Sequence, residues 1–159
     1  FGLGIDAIVA GLAKTVVTGG RLERKLAGGV VFIDDSYNAN PDSVRAALDT
    51  FVALGCAGRR FAVLGGMAEL GAGEEAEHRA IGKEAAGCGI DVLVSVGALG
   101  RAFTATLNGG SGIVVEHFET QAECAAYLRS EAKPGDCVLV KGSRSASMEK
   151  VLEHFTQSE

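Results

Sequence analysis

The 159-residue chain is 47% hydrophobic and carries a formal net charge of -5, with a pI near 5.2. That length sustains one well-buried core and is short for two, the acidic balance argues against nucleic acid as the main partner, and no apolar run reaches the roughly 18 to 20 residues that span a bilayer. The four cysteines, Cys56, Cys88, Cys124 and Cys137, are widely spaced with no C-x-x-C pair, as expected of free thiols in a reducing cytoplasm rather than of a zinc or redox site.

In chain order, the first residue is Phe1 rather than Met, and "IDAIVAGLAK" sets Ile5, Ile8, Val9 and Leu12 at helical spacing. This opening reads as a helix that packs on a neighbouring domain, in a chain cut from something longer. Next, "RLERKLAGGVVFIDD" alternates Leu22 and Leu26 with charged residues and passes through Gly28 and Gly29 into an apolar run, the pattern of a hairpin from an edge strand into a buried one. Apolar strands are then expected at 30–34, 60–65, 91–96, 112–118 and 137–142. Amphipathic helices are expected between them at about 42–54, 74–88, 98–107 and 119–131, with a last helix over about 147–156. Strands that alternate with helices give an α/β fold, a Rossmann-like, mainly parallel sheet flanked by helices with an antiparallel N-terminal edge strand.

The stretch "IDDSYNANPDS" (33–43) crowds polar groups at the end of the first buried strand. Asn40 suits a helix N-cap, Pro41 the first helical position and Asp42 the positive end of the helix dipole. Capping does not account for Asp34, Asp35, Ser36, Tyr37 and Asn38, which form either a polar turn or part of a binding site, since ligands of open α/β sheets bind at the carboxyl ends of the strands. The last strand ends in Lys141, Gly142, Ser143, Arg144, Ser145 and Ser147, a set of two cations, three hydroxyls and small residues suited to an anion. A third strand runs into the glycine-rich "LGGMAELGAGEEAEH", so three strand tips point to one composite cleft.

Other motifs do not fit. No G-x-x-x-x-G-K-[ST] phosphate loop is present in the sequence, and "GAGEEA" (71–76) lies too far from the preceding strand for a dinucleotide fingerprint. His78, His117 and His154 lack metal spacing and are expected to pack or to lie at the surface. Glu69, Glu74, Glu75, Glu77 and Glu84 read as a solvated face favoured by the helix dipole. No catalytic nucleophile, serine triad or metal site is assigned.

Taken together, "GRLER", "IDDSYNANPDSVRAALDTF", "FAVLGGMAELG" with "EHRAIGKEA", and "VLVKGSRSASMEKV" resemble the C-terminal domain of the Mur ligases, most of all of members that join D-Ala-D-Ala to UDP-N-acetylmuramoyl-tripeptide in peptidoglycan precursor synthesis. The resemblance implies that residues 1–18 are the tail of a central ATPase domain and 19–159 the C-terminal domain. It implies an ATP-dependent cytoplasmic ligase that works through an acyl phosphate, with Mg held by the central domain and with its own N-terminal and central domains as partners. The isolated domain would be inactive. By the same resemblance Arg21 reaches the ATP phosphates, Asp35 bonds the ribose, Asn38 and Asn40 line the adjoining pocket, and Ser147 meets the incoming amino-acid substrate. Lys141, Ser143 and Arg144 are candidates for the substrate side, the two cations for the dipeptide carboxylate on charge and position. Relatives commonly read G-D-M where this chain has Gly65, Gly66 and Met67, so the loop lacks a carboxylate at position 66. The alternatives are a sibling ligase that adds another amino acid and a free-standing nucleotide-binding module.

Overall fold

The structure, a computed structural model, describes residues 20–107 and 112–157. The expected N-terminal helix and the 1–18 segment lie outside the described residues. A six-stranded sheet has the order β1-β2-β6-β3-β4-β5, in which β1 (Glu23–Ala27) runs antiparallel to β2 (Val30–Asp35). The remaining pairs, through β3 (Arg60–Gly65), β4 (Val92–Val96), β5 (Val114–Phe118) and β6 (Cys137–Lys141), are all parallel. This is the mainly parallel sheet with an antiparallel N-terminal edge that the sequence predicts.

The hairpin forms because Gly28 and Gly29 both take positive φ, 56° and 78°, which a two-residue turn matched to strand twist requires. The first helix, α1 (Pro41–Ala53), begins where the sequence places it. Asn40 accepts the Ser43 N–H at 2.8 Å while the Ser43 hydroxyl takes the Asn40 N–H at 3.0 Å, a reciprocal box that satisfies two amides left without helical partners. Thr120 and Glu123 build the same box at the start of α4 (Gln121–Glu131).

The helices α2 (Glu74–Gly87) and α3 (Gly97–Thr104) join α1 on one face of the sheet, over Ile33, Ala62, Leu64, Leu93 and Leu139. On the other face α4 and α5 (Glu149–Thr156) cover Phe32, Phe61, Val63, Val94, Val138 and Val140. Side chains such as Phe51, Phe61 and Leu139 are fully buried, and each is worth about 1.5–3 kcal/mol relative to exposure. One expectation changes at the last helix. Residues Arg144–Ala146 form a 3-10 turn and Ser147 is left-handed (φ 46°, ψ 47°), so the helix starts at Glu149 rather than 147 and Ser147 is not its N-cap.

The strand order positions the site. From β2 to β3 to β4 to β5 the chain moves one way across the sheet, with α1, α2 and α3 on one face. It then returns through α4 on the opposite face and inserts β6 between β2 and β3. Chains therefore leave the tips of β6 and its two neighbours toward opposite faces, which opens a crevice there.

Candidate functional site

The polar stretch at the end of β2 divides by the two-residue period of a strand. Asp34 points to the α5 side and is 3% exposed; its Oδ1 accepts the Ser36 N–H at 3.1 Å and hydroxyl at 2.6 Å, and its Oδ2 takes the Lys25 ammonium at 2.6 Å. These bonds shape the turn, so Asp34 belongs to the fold. Asp35 points the other way, and the parallel register sets it directly beside Lys141 on β6. The Lys141 Nζ lies 2.6 Å from Asp35 Oδ2 and 2.9 Å from the Asn38 carbonyl oxygen.

Because β1 is antiparallel, the segment that precedes it also arrives at this rim. Gly20 accepts the Tyr37 N–H at 2.9 Å, and the Leu22 N–H donates to Asp35 Oδ1 at 3.3 Å. Between them Arg21 lays its guanidinium 4.4 Å from the centre of the Tyr37 ring, a cation-π contact rather than an ion pair with a described carboxylate. Arg21 and Tyr37 are exposed.

The other strand tips join this rim. The Ser143 N–H donates to the Gly66 carbonyl at 3.0 Å, which ties the loop after β6 to the loop after β3. A Cβ on Gly142 would come 2.5 Å from Met148 Cγ and one on Gly65 would come 2.5 Å from Met148 Sδ, so both glycines are required for the close approach. Ser143 is buried with its hydroxyl 3.0 Å from that of Ser145, while Arg144 is exposed and pairs with Glu149 at 3.0 Å. Ser147 is half-buried beside them.

The predicted residues thus gather at one sheet edge in two groups, Arg21, Asp35, Asn38 and Asn40 on one side and Lys141, Ser143, Arg144 and Ser147 on the other, bridged by the Asp35 and Lys141 pair. Two of these side chains already have local work. The carbonyl of the Asn38 side chain accepts the Ala39 N–H at 2.9 Å, and that of Asn40 caps α1. Arg21 and Arg144 are the cations left toward solvent.

Sequence reasoning missed His78 as a support of this edge. It is fully buried, and its Nε2 accepts the Met67 N–H in the loop after β3. The Glu cluster is largely exposed, as expected, and within it Glu84 makes two surface bonds to Arg45 of α1, at 2.7 and 3.0 Å, which hold its carboxyl below the usual range. Cys124 and Cys137 are buried thiols pushed up to about 12, chiefly by burial, and all four cysteines are unpaired.

Two other places resemble sites and do not function as one. Ser95, His117 and Glu119 line up as hydroxyl, imidazole and carboxylate, at 2.8 and 3.3 Å. Ser95 is fully buried and also bonded to Thr104 at 2.9 Å, so no substrate reaches its oxygen, and the line runs from a buried hydroxyl out to an exposed carboxylate as a structural network. A groove of about 290 Å³ between β1 and α5 is lined by Lys25, Asp34, Glu149 and Glu153. Its cation and its buried carboxylate are already paired with each other.

Comparison with known proteins bears on the family and the fold. The family described as "Mur ligase, glutamate ligase domain" matches residues 20–144. The UDP-N-acetylmuramoyl-tripeptide–D-alanyl-D-alanine ligase of Escherichia coli (strain K12) is 40% identical over 160 residues, covering 99% of this chain and 34% of its own. A crystal structure of MurF from Acinetobacter baumannii superposes with a TM-score of 0.79 at 31% identity, over 98% of this chain and 34% of that one. A MurF ligase from Thermotoga maritima, crystallised in complex with ADP, superposes at 0.72 with 27% identity, over 92% of this chain and 32% of that one. The chain therefore spans about a third of the length of the relatives it matches.

Proposed function

The chain belongs to the Mur ligase family, and from that premise we propose that it is the C-terminal, closing domain of the ATP-dependent cytoplasmic ligase that joins D-Ala-D-Ala to UDP-N-acetylmuramoyl-tripeptide. The observation that carries this reading is the composite rim, where the tips of β2, β6 and β3 and the segment before β1 meet around the Asp35 and Lys141 pair.

The rim fits a nucleotide. Arg21 presents a permanent cation to solvent, suited to phosphate oxygens, and Asp35 keeps carboxylate lone pairs that a ribose hydroxyl can meet. When bound, ATP supplies the phosphoryl group that activates the peptide carboxylate as an acyl phosphate. The domain's own contribution is positioning: it orients the nucleotide through Arg21 and Asp35, offers Arg144 and Ser147 to the dipeptide, and excludes water as it closes. Leu22, Tyr37 and Leu99, exposed at the same edge, give that closure an apolar surface. Among the described residues no three His, Cys, Asp or Glu side chains come together as a metal centre, and in this reading Mg is held by the central domain.

The test is made on the full-length protein with ATP, UDP-N-acetylmuramoyl-tripeptide and a panel of acceptors. Phosphate release that depends on D-Ala-D-Ala is the expected result, and release with single amino acids instead would assign a sibling activity. Tight ATP or NAD binding by the 159-residue chain alone would favour the free-standing nucleotide module.

A further inference from the structure

Lys141 qualifies by charge and place as a ligand for a substrate carboxylate, but its surroundings give it other work. Its side chain is 3% exposed, and two of its three N–H donors are engaged by Asp35 and by the Asn38 carbonyl. Its charge is matched by a carboxylate that is itself 15% exposed. An incoming carboxylate would have to displace Asp35 or crowd against it, and like charges at that separation repel.

The same carboxylate reaches outward. Asp35 Oδ1 takes the Leu22 N–H, and Leu22 sits at φ 49°, a left-handed conformation that a branched side chain adopts only when its surroundings hold it there. On the other side of Arg21, Gly20 is also left-handed at φ 77° and is fastened to the Tyr37 amide. Arg21 is therefore carried on a strained three-residue turn anchored at both ends to the β2 tip. One of those anchors is the carboxylate that Lys141 holds.

We infer that Lys141 is a positioning residue: by fixing Asp35 and the Asn38 carbonyl it holds the Gly20 to Leu22 turn, and with it Arg21, in the geometry from which a nucleotide is met. The inference rests on the nucleotide reading given above only for its kinetic consequence. The structural consequence, an ordered turn, is separate.

Both consequences are measured on the full-length ligase with Lys141→Met, Asp35→Asn, the double variant and Arg21→Ala. The expected result for Lys141→Met is a KM for ATP raised about tenfold or more with the KM for D-Ala-D-Ala within about twofold, and amide exchange of Leu22 and Tyr37 faster by about tenfold. The double variant should be no worse than Asp35→Asn alone, because the two residues act as one unit. A raised KM for D-Ala-D-Ala with unchanged ATP kinetics and unchanged exchange would make Lys141 a substrate ligand and overturn the inference. If Arg21→Ala leaves ATP kinetics untouched, the nucleotide reading fails while the exchange measurement still decides the positioning role. Should Lys141→Met not fold, the double variant, which buries no lone charge, carries the test, and wild-type exchange at Leu22 in it would refute the proposal.

Discussion

The Nε2 atom of His78 accepts the backbone N–H of Met67 at 2.8 Å, and the opposite ring nitrogen lies 2.6 Å from the Glu74 carbonyl oxygen. The first bond requires a lone pair on Nε2, so Nδ1 carries the proton and donates to the carbonyl. A fully buried imidazole in α2 thus pins the loop that follows β3, and that loop in turn accepts the Ser143 amide from the β6 tip. His78→Ala should leave the Met67 amide buried without a partner and lower stability by about 1–3 kcal/mol, measured by urea denaturation. A loss under about 0.5 kcal/mol would mean that the loop holds itself.

A Cβ placed on Gly66 would overlap the Leu99 Cβ at the start of α3, so this position in the loop after β3 has no room for a side chain as it stands. Gly66→Asp should therefore force α3 to shift and destabilise the domain by about 1–3 kcal/mol. Gly73→Ala, at a position with open space around it, serves as the neutral comparison. Equal unfolding midpoints for the two variants would show that the loop yields freely.

The Asn40 side chain is committed to the cap of α1. Asn40→Ala should remove about 1 kcal/mol of stability, and Asn40→Asp should restore most of it, since either side chain supplies the acceptor oxygen. Recovery of stability without recovery of ATP affinity in the Asp variant would show a second role for the amide.

His117 is held below the usual imidazole range, first by burial and then by the positive charge of Arg101, against the opposing pull of Glu123. The folded domain binds this proton less readily than the unfolded chain does. The group's contribution to stability is therefore complete above about pH 6.5 and is lost as the pH falls from there through the lower folded value. Melting temperatures recorded from pH 8 down to about 5 should drop more steeply for the native chain than for His117→Gln. Parallel curves would exclude His117 as the titrating group.

Much of the fold is legible along the chain because its signals are local. The Gly28 and Gly29 pair needs left-handed backbone, Asn40 with Pro41 marks a helix start, and apolar periods of two and of about 3.6 separate strands from helices. The helix boundary at Ser147 was not legible, since its departure is a single left-handed residue imposed by the packing of Met148 against Gly65 and Gly142. Nor was the duty of His78 or of Ser95 with His117, whose partners belong to other elements. Asp34 and Asp35 look alike in sequence, and only the pairing of β2 with β1 and β6 shows that one serves the turn and the other the rim.

The order of strands and helices, the polar character of the strand tips and the likeness to the Mur ligases were all determined by the sequence alone, because propensity, capping and motif spacing act over a few residues at a time. The tertiary structure decided that β6 enters between β2 and β3, and so that residues 106 positions apart become the bonded pair Asp35 and Lys141. A buried strand such as 137–141 is apolar toward both faces, and nothing in its own residues names its neighbours. That choice is made by the direction of the crossovers and by which helices cover which face, which are properties of the whole chain.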